Sequence, residues 1–269
     1  APNGGETWTV GTSKDIIWNA AAELNNVKIE VSLNNGLSWS TVVASMAAST
    51  GFYSWTIPNT PSNNCLIRVT DLNNTTLFDK SNGTFTIALP PSLKLNNPNG
   101  GNVWNVNSNQ NITWTAVTVQ NIKIEYTINN GGSWNTIAGS VLASLGTYSW
   151  NLPNTPSTTC RVRITDINNG LINDESDSNF TIFLPPSITV TAPNGGESWN
   201  VGSSKNITWN SAVVNYVKLE YSVNGGGAWT TIAPAVLASS GSYSWTIPNN
   251  PSANCLIKIT DTSNAALFD

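Results

Sequence analysis

The sequence predicts an all-β protein made of three tandem antiparallel β-sandwich domains. A unit of 95 or 96 residues occurs three times, and each copy begins with Pro-Asn-Gly-Gly, at Pro2, Pro98 and Pro193. Within each copy, apolar and polar residues alternate over short segments, which is the period of a half-buried strand. The unit is longer than a solenoid repeat of about 20–50 residues, and it matches the size of a sandwich of about 100 residues.

Each repeat is organised around a predicted hairpin. In the first repeat, residues 27–33 alternate between apolar and polar, Asn-Asn-Gly follows at 34–36, and Trp39 begins a second run. Asn and Gly accept the positive φ that a hairpin turn needs. Lys28 and Glu30 lie on the other face of the first strand, which we expect to face solvent, where such charges contribute little to stability. The same unit returns at residues 122–134 and 217–229.

The second repeat contains the full set of predicted strands. Turn residues separate strands at 92–95, 103–106, 111–115, 121–128, 134–137, 147–152, 160–165 and 179–183. Seven or eight short strands with alternating faces are typical of immunoglobulin-like and fibronectin type III-like sandwiches. No repeat contains a pair of cysteines, which argues against an antibody-type domain.

Proline pairs at 90–91 and 185–186 separate the repeats, and such pairs favour extended, semi-rigid spacers. We therefore predict sandwich repeats at 1–88, 92–183 and 187–269, arranged as a beads-on-a-string rod. Compared with the second repeat, the first lacks its opening strand and the third lacks its closing strand. We expect the third repeat to be completed in the native object, either by a longer array or by a strand from a neighbouring molecule.

Composition excludes several classes of function. A net charge of −4 with 10% charged residues argues against a basic nucleic-acid footprint. No run of 18 apolar residues occurs, so no membrane span is predicted. The chain has no His, which rules out Ser-His-Asp and Cys-His catalysis. With 40 Asn against 8 Asp, the polar surface is mostly neutral, as suits an extracellular protein. We predict that the chain is not an enzyme.

Every repeat carries four Trp and one Cys at matching positions. Most of the Trp are predicted to lie in the cores, and the alternative is a sugar-stacking platform at Trp8, Trp104 and Trp199, which sit nearest a loop. The cysteines are predicted to be buried, reduced and unreactive, because each shares the apolar face of its strand. They are Cys65, Cys160 and Cys255.

Two Asp recur in each repeat, one at the end of a strand and one a turn later. Paired carboxylates with loop carbonyls are candidate Ca²⁺ ligands, although Ca²⁺ takes 6–8 oxygens. The alternative is that these residues form turns, since Asp side chains bond to nearby main-chain groups. No other cofactor is predicted. The candidates are Asp71, Asp79, Asp166, Asp174, Asp261 and Asp269.

The hairpin also resembles a known motif. Ser-Leu-Asn-Asn-Gly-Leu-Ser-Trp at 32–39 is similar to the Asp box, S-x-D-x-G-x-T-W, with Asn in the acidic position. Residues 127–134 and 222–229 repeat it, the last with Ala228 in the hydroxyl position. In sialidases and many secreted β proteins the motif stabilises a turn, so the resemblance implies a structural role and no catalysis.

A wider pattern covers all three repeats: P-N-G-G-E-x-W-x-V-G-x-S-x-x-I-x-W, then V-K-I-E-Y-S, Y-S-W-x-I-P and C-x-I-x-I-T-D. It resembles the tandem Ig-like repeats of large secreted or cell-surface proteins of Bacteroidota, and it is similar to the KNH-like, Ser/Thr-rich cell-wall module. The resemblance implies an extracellular location, a structural or adhesive role, and no catalytic residues.

These observations predict a segment of an extracellular tandem-repeat protein, such as a surface stalk, a fibre or filament, or an adhesin shaft. Its expected partners are further repeats of the same or neighbouring chains. The alternative is a carbohydrate-binding array appended to a secreted hydrolase, with cell-surface polysaccharide as its ligand. Neither interpretation involves nucleic acid.

Overall fold

A computed structural model describes all of residues 1–269 and contains 23 β-strands and three single-turn 3-10 helices. We refer to residues 1–88 as module 1, which contains strands β1 (Thr7–Thr9), β2 (Ser13–Ile17), β3 (Asn26–Ser32), β4 (Ser40–Ala47), β5 (Phe52–Thr56), β6 (Ser62–Asp71), β7 (Phe78–Lys80) and β8 (Phe85–Ala88). No helix in the chain has the length and hydrophobicity needed to cross a membrane.

We refer to residues 92–183 as module 2 and to residues 187–269 as module 3. Module 2 contains β9 (Ser92–Asn97), β10 (Val103–Asn105), β11 (Asn109–Val117), β12 (Asn121–Thr127), β13 (Asn135–Leu142), β14 (Thr147–Asn151), β15 (Ser157–Asp166), β16 (Asn173–Glu175) and β17 (Phe180–Phe183). Module 3 contains β18 (Ser187–Ala192), β19 (Ser204–Ala212), β20 (Tyr216–Ser222), β21 (Thr230–Leu237), β22 (Ser242–Thr246) and β23 (Leu256–Asp261).

Module 2 shows the sandwich most completely. One sheet has the order β10-β17-β15-β12-β13 with β16 beside β15, and the other has the order β14-β11-β9. All neighbouring strands are antiparallel except β10 and β17, which pair in parallel with Trp104 opposite Ile182. Module 1 repeats the parallel pair as β1 and β8. The predicted all-β sandwich is confirmed, with one parallel pair in each of these two modules.

The cores lie between the two sheets of each module and are separate from one another. In module 2, alternate residues of β12 and β15 point inward, so Ile122, Ile124 and Ile164 are fully buried. Each fully buried Ile stabilises the fold by about 1.5–3 kcal/mol. The core of module 2 contains 14 buried residues, against 10 in module 1 and 9 in module 3. No strand pairing joins one module to another, so each core depends on its own strands.

A buried indole ties the two sheets together where the chain crosses between them. After β13, a single 3-10 turn at Ala143–Leu145 leads into β14 of the other sheet. The Nε1 of Trp114 in β11 donates a hydrogen bond to the main-chain oxygen of Ala143 at 2.8 Å. Trp18 and Trp209 make the same bond in modules 1 and 3, to Ala48 and Ala238. This recurring bond explains why one Trp of each repeat occupies this position.

The predicted strands of the second repeat all form, with ends that shift by a few residues. The 3-10 turn and β16 were not predicted, because each spans only three residues and shows no apolar alternation. β16 forms because Glu175 and Asn173 pair with Arg163 and Thr165 of the neighbouring β15. The formation of β16 therefore depends on pairing with β15 and not on a pattern within its own three residues.

Modules 1 and 3 have fewer strands than module 2. In module 1 the second sheet consists of β2 and β5 alone, with no counterpart of β9. In module 3 the sheets are β18-β19-β22 and β21-β20-β23, with no counterparts of β10 and β17. β23 begins only at Leu256, which corresponds to Arg161 of module 2, whereas its counterpart β15 begins four residues earlier, at Ser157.

Candidate functional site

The hairpin turn of each module is held by side chains of the Asp-box-like segment. In module 1, Ser32 Oγ accepts a hydrogen bond from the Gly36 N–H at 2.8 Å. The Asn34 Oδ1 accepts bonds from Ser32 Oγ at 3.0 Å and from the Ser38 N–H at 2.9 Å. Asn35 adopts φ of 56° and Gly36 adopts φ of 87°, so the predicted positive φ values are confirmed. An Asn therefore supplies the acceptor that a carboxylate would supply.

In module 3, Ala228 occupies the seventh position of the Asp-box-like segment, so this turn has no hydroxyl there. The Asn224 Oδ1 still accepts the Ala228 N–H at 2.9 Å. The bond that is missing is the one from the Asn side-chain amide to the hydroxyl, which joins Asn34 to Ser38 at 2.9 Å in module 1. The hydrogen bond from the main-chain N–H of the seventh residue to the Asn Oδ1 is thus common to all three modules. The hydroxyl of Ser38 adds a second bond, from the Asn34 side-chain amide.

A cluster of one Trp, two cations and one carboxylate lies beside each hairpin. In module 1, the Arg68 guanidinium carbon is 4.3 Å from the centroid of Trp39. Arg68 Nη2 also lies 2.6 Å from Glu30 Oε2, and Lys28 Nζ lies 2.6 Å from Glu30 Oε1. The matching sets are Lys123, Glu125, Trp134 and Arg163 in module 2, and Lys218, Glu220, Trp229 and Lys258 in module 3.

The carboxylate of this cluster is buried, which corrects the expectation of a simple solvent-facing pair. Glu30 is only 7% exposed, and both of its carboxylate oxygens are paired with cations, Lys28 and Arg68. Burial by itself would raise the pKa of Glu30, but hydrogen bonds and charges from Lys28 and Arg68 outweigh it and hold the pKa below its ordinary value. Glu125 and Glu220 show the same lowered pKa for the same causes. These carboxylates are ionised at neutral pH, and both oxygens of each one are paired with a cation.

Trp8 and Trp104 lie in the cores, so the sugar-stacking expectation is corrected for both. Their exposed fractions are 6% and 8%. The centroid of Trp8 lies 5.0 Å from that of Phe85, and the centroid of Trp104 lies 5.2 Å from that of Phe180. Neither indole has a free face that a sugar ring could cover.

Trp199 differs from its two counterparts because no strand covers it. The ring is half-buried, lies outside any strand, and its centroid is 6.4 Å from that of Trp245. The Phe that packs on Trp8 and Trp104 has no equivalent within module 3. Of the three candidates, Trp199 is therefore the one that leaves aromatic surface open.

Five of the six candidate aspartates accept hydrogen bonds from main-chain N–H groups. Asp71 Oδ1 accepts the Asn73 N–H at 3.0 Å, and Asp166 and Asp261 form the same local turn. Asp174 Oδ2 accepts the Leu95 N–H of β9 at 2.7 Å, and Asp269 Oδ2 accepts the Val190 N–H of β18 at the same distance. Asp79, their counterpart in module 1, is exposed. No group of three or more acidic, Cys or His side chains stands close enough to hold a metal ion.

The anchoring of the first strand by Asp174 and Asp269 is a role that the sequence did not indicate. The two bonded residues are 79 positions apart in both modules, so no local spacing points to the contact. The recurrence of Asp at this position was the only available signal, and it indicated turn formation, with calcium binding as the alternative.

The cysteines divide into two environments. Cys65 and Cys160 are buried, and burial raises the pKa of both thiols above the ordinary value. Each lies opposite a Phe of the closing strand, Cys65 opposite Phe85 and Cys160 opposite Phe180. Cys255 is exposed, so the expectation of a buried, unreactive thiol is wrong for this residue. The physical reason is that no strand lies beside it.

The surface carries several clefts, and two of them are lined by aromatic side chains. A cleft of about 310 Å³ in module 2 lies where the edge strands β13 and β14 of the two sheets diverge, and Tyr126, Tyr148 and Trp150 line it with polar Thr136 and Asn151. A larger cleft of about 680 Å³ in module 1 includes Ile16, Trp18 and Val69 in its wall and Asp79 at its rim. In module 2 the face equivalent to this larger cleft is covered by β9, whose Leu95 is fully buried.

No protein-family model and no curated protein matches the chain. Among solved structures, the chain is similar to the fibronectin(III)-like modules of CbhA from Clostridium thermocellum, with 17% identity and a TM-score of 0.24 over 68% of this chain and 91% of that one. It is also similar to the FN1–FN3 domains of chicken CNTN1, with 14% identity and a TM-score of 0.33 over 99% of this chain and 94% of that one.

A third similar structure is a tetra-tandem repeat in the extending region of a large adhesion protein, with 17% identity and a TM-score of 0.29 over 98% of this chain and 72% of that one. Because the identities and TM-scores of all three are low, they identify no function for this chain. Its fold is assigned from its own strand order, and its function is argued from its own residues.

Proposed function

We propose that residues 1–269 are a structural and adhesive segment of an extracellular tandem-repeat protein, such as a surface stalk or adhesin shaft. The observation that carries the proposal is that the same sandwich unit, with the same hairpin and the same Trp–cation–carboxylate cluster, is built three times around separate cores. Repetition of a self-contained unit sets length, which is the property a stalk needs.

The chemistry of the side chains supports a role without catalysis. A general acid or base works best when its pKa lies near the operating pH. The buried carboxylates have pKa values lowered by their ion pairs, and the buried thiols have pKa values raised by burial. Both shifts move these groups away from neutrality, which suits fixed structural contacts.

The linkers support a chain of modules with restricted bending. Pro90 and Pro91 favour extended geometry between modules 1 and 2. Thr118 Oγ1 of module 2 also donates a hydrogen bond to the Leu89 main-chain oxygen at 3.3 Å, which ties the linker to the module that follows it. An extracellular location is supported by the surface, in which uncharged Asn outnumbers Asp by 40 to 8.

Single-molecule stretching of the 269-residue chain tests the mechanical part of this proposal. Three unfolding events of similar contour length are expected, one for each core, with the highest force for module 2 because its strand set is complete. A variant with Pro90→Gly and Pro91→Gly serves as the control, and it should keep all three events while it lowers the persistence of the linker in small-angle scattering. A single cooperative event for the whole chain would contradict a stalk of independent modules.

A carbohydrate-binding role is the second candidate, and the module 2 cleft is the observation that favours it. Tyr126 and Tyr148 are partly exposed there beside polar side chains, which is the mixture that sugar rings contact. Titration with soluble polysaccharides should shift Trp fluorescence if the cleft binds them, and Tyr148→Ala should abolish the shift. Tyr216→Ala, at an exposed site in module 3, is the matched control that should leave it unchanged.

A further inference from the structure

The cations of the chain are concentrated on one face of each module. This outer face belongs to the sheet that contains β3, β12 or β20, and it points away from the core. Eight of the 11 Lys and Arg residues lie on the outer faces against four of the 15 acidic residues, which gives these faces a charge of +4. The remainder of the chain, with three cations and 11 acids, carries −8. The outer-face cations are Lys28, Arg68, Lys80, Lys123, Arg161, Arg163, Lys218 and Lys258, and the acids are Glu30, Glu125, Glu175 and Glu220.

Module 1 has the least balanced outer face. Both of its ion pairs use the same carboxylate, because Lys28 and Arg68 share Glu30. Lys80 is exposed, has no carboxylate partner and lies opposite Arg68 in the register of β6 and β7. Like charges directly opposite each other on neighbouring strands are destabilising. An anion placed between Arg68 and Lys80 would remove this repulsion.

Module 2 balances the same position with an acid. Glu175 stands opposite Arg163, where Lys80 stands opposite Arg68 in module 1. Glu175 also accepts a hydrogen bond from Arg161 Nη1 at 3.1 Å. The outer face of module 2 therefore has three cations and two acids, whereas that of module 1 has three cations and one acid. Excess positive charge beside β7 is thus a property of module 1 and not of the repeat in general.

Aromatic rings flank the cations of module 1. The guanidinium carbon of Arg68 lies 4.3 Å from the centroid of the half-buried Trp39 and 5.7 Å from the centroid of Phe78. Phe78 is 50% exposed and precedes Lys80 by two residues, on the same face of β7. Asn173 occupies the matching position in module 2, where β9 is present, and it is exposed as well. Phe78 is therefore exposed because of its place on the outer face.

The cations keep hydrogen-bond donors that a ligand can use. Arg68 donates to Glu30 through Nε and Nη2, at 3.1 and 2.6 Å, which leaves Nη1 without a protein acceptor. The ammonium of Lys28 has three donors and meets one oxygen of Glu30. Guanidinium and ammonium groups form strong, charge-assisted hydrogen bonds with carboxylates. The exposed ring of Phe78 adds a flat apolar surface beside them.

We propose that the outer face of module 1 binds an acidic polysaccharide, with one uronate residue seated among Arg68, Lys80 and Phe78. The uronate carboxylate lies between the two cations, and its pyranose ring packs on Phe78. A nucleic acid fits this face less well, because its binding relies on many phosphate contacts and the face holds only three cations. The site is separate from the module 2 cleft, and the stalk role does not depend on it.

Affinity electrophoresis of the 269-residue chain tests the proposal. Polygalacturonate in a native gel should retard the chain, and the retardation should decline as the ionic strength rises, because salt screens exposed charges. Fully methyl-esterified polygalacturonate keeps the sugar ring but loses the charge, so its dissociation constant should be about tenfold higher. Polyglutamate carries carboxylates without sugar rings, and it should also bind more weakly than polygalacturonate.

Two variants place residues of module 2 in module 1. Lys80→Glu should raise the dissociation constant for polygalacturonate about tenfold, and Phe78→Asn should raise it about threefold. Circular dichroism checks that both variants are folded. Lys94→Glu, at an exposed position of β9, changes the net charge equally and is the control that should leave binding unchanged. The reciprocal double variant Asn173→Phe with Glu175→Lys should strengthen the retardation by adding a second site.

The proposal is overturned if polygalacturonate does not retard the chain, or if the methyl-esterified polymer binds as tightly. Equal weakening by Lys80→Glu and Lys94→Glu would overturn it too, since the attraction would then depend on net charge alone. Polyglutamate binding as tight as that of polygalacturonate would rule out the sugar site. Tyr148→Ala alters the module 2 cleft and should leave this binding intact, so failure of one site is distinguishable from failure of the other.

Discussion

The guanidinium carbon of Arg163 lies 4.2 Å from the centroid of Trp134, while its Nη2 donates a hydrogen bond to Glu125 at 2.9 Å. Trp134 belongs to the hairpin loop, Arg163 to β15 and Glu125 to β12. The Arg163 side chain therefore links the loop to two neighbouring strands. A cation over an exposed ring contributes about 0.5–1 kcal/mol. Arg163 also pairs with a buried carboxylate that would otherwise be neutralised by Lys123 alone, so its loss should cost more than the cation–π contact by itself.

Stability should fall at acid pH because of this cluster. The folded-state pKa of Glu125 lies below its ordinary value of 4.5, so the folded module binds fewer protons than the unfolded chain in that range. The stabilisation is complete above the unfolded pKa and is lost as the pH falls through the folded pKa. Melting temperatures measured between neutral pH and about pH 3 should decline most steeply below this value. Glu125→Gln should flatten the decline for module 2, and an equally steep decline in that variant would contradict the assignment.

Removal of the Trp114 side chain should destabilise module 2 in two separable steps. Trp114→Ala removes a nearly buried ring and should cost about 3–5 kcal/mol. Trp114→Phe keeps much of the ring but removes the hydrogen bond to Ala143, and it should cost less, with about 1–3 kcal/mol arising from the unsatisfied carbonyl. Chemical denaturation of module 2 measures both changes. Equal costs for the two variants would mean that the hydrogen bond contributes the whole effect.

Residues 92–183 should fold alone, because they contain both sheets and a core of 14 buried residues. A single cooperative thermal transition of this fragment is the expected result. A shorter fragment that ends at Asp174 lacks β17 and uncovers Cys160 and Trp104, so it should melt at a lower temperature or remain unfolded. An unfolded spectrum for the full fragment would refute the independence of the modules.

The hairpin of module 2 should depend on Asn129 more than on the hydroxyl beside it. Asn129→Ala removes the acceptor of the Ser133 N–H and of Thr127 Oγ1, and the loss should be about 1–2 kcal/mol. Ser133→Ala reproduces the natural state of module 3 and should cost less than this, since the main-chain bond survives. Denaturation midpoints of the two variants decide the order, and a larger loss in Ser133→Ala would contradict it.

Local patterns were sufficient for much of the fold. The alternation in residues 121–127 placed Ile122 and Ile124 in the core, and both are fully buried. Asn-Asn-Gly predicted the positive φ values of Asn35 and Gly36. The candidate sites were less predictable: Trp8 and Trp104 proved to be core residues. Their loop-side positions are covered by a Phe that lies 76 or more residues away in the chain.

The sequence by itself determined the all-β architecture, its threefold repetition and the hairpin turns, because each of these follows from contacts between residues that are near one another in the chain. Only the tertiary structure decided which polar and apolar groups are covered. Glu125 is buried because Arg163 lies over it, Asp174 holds β9 from 79 positions away, and Cys160 is buried opposite Phe180 of β17. Burial depends on neighbours that are distant in sequence, and periodicity records only which face of a strand a residue occupies.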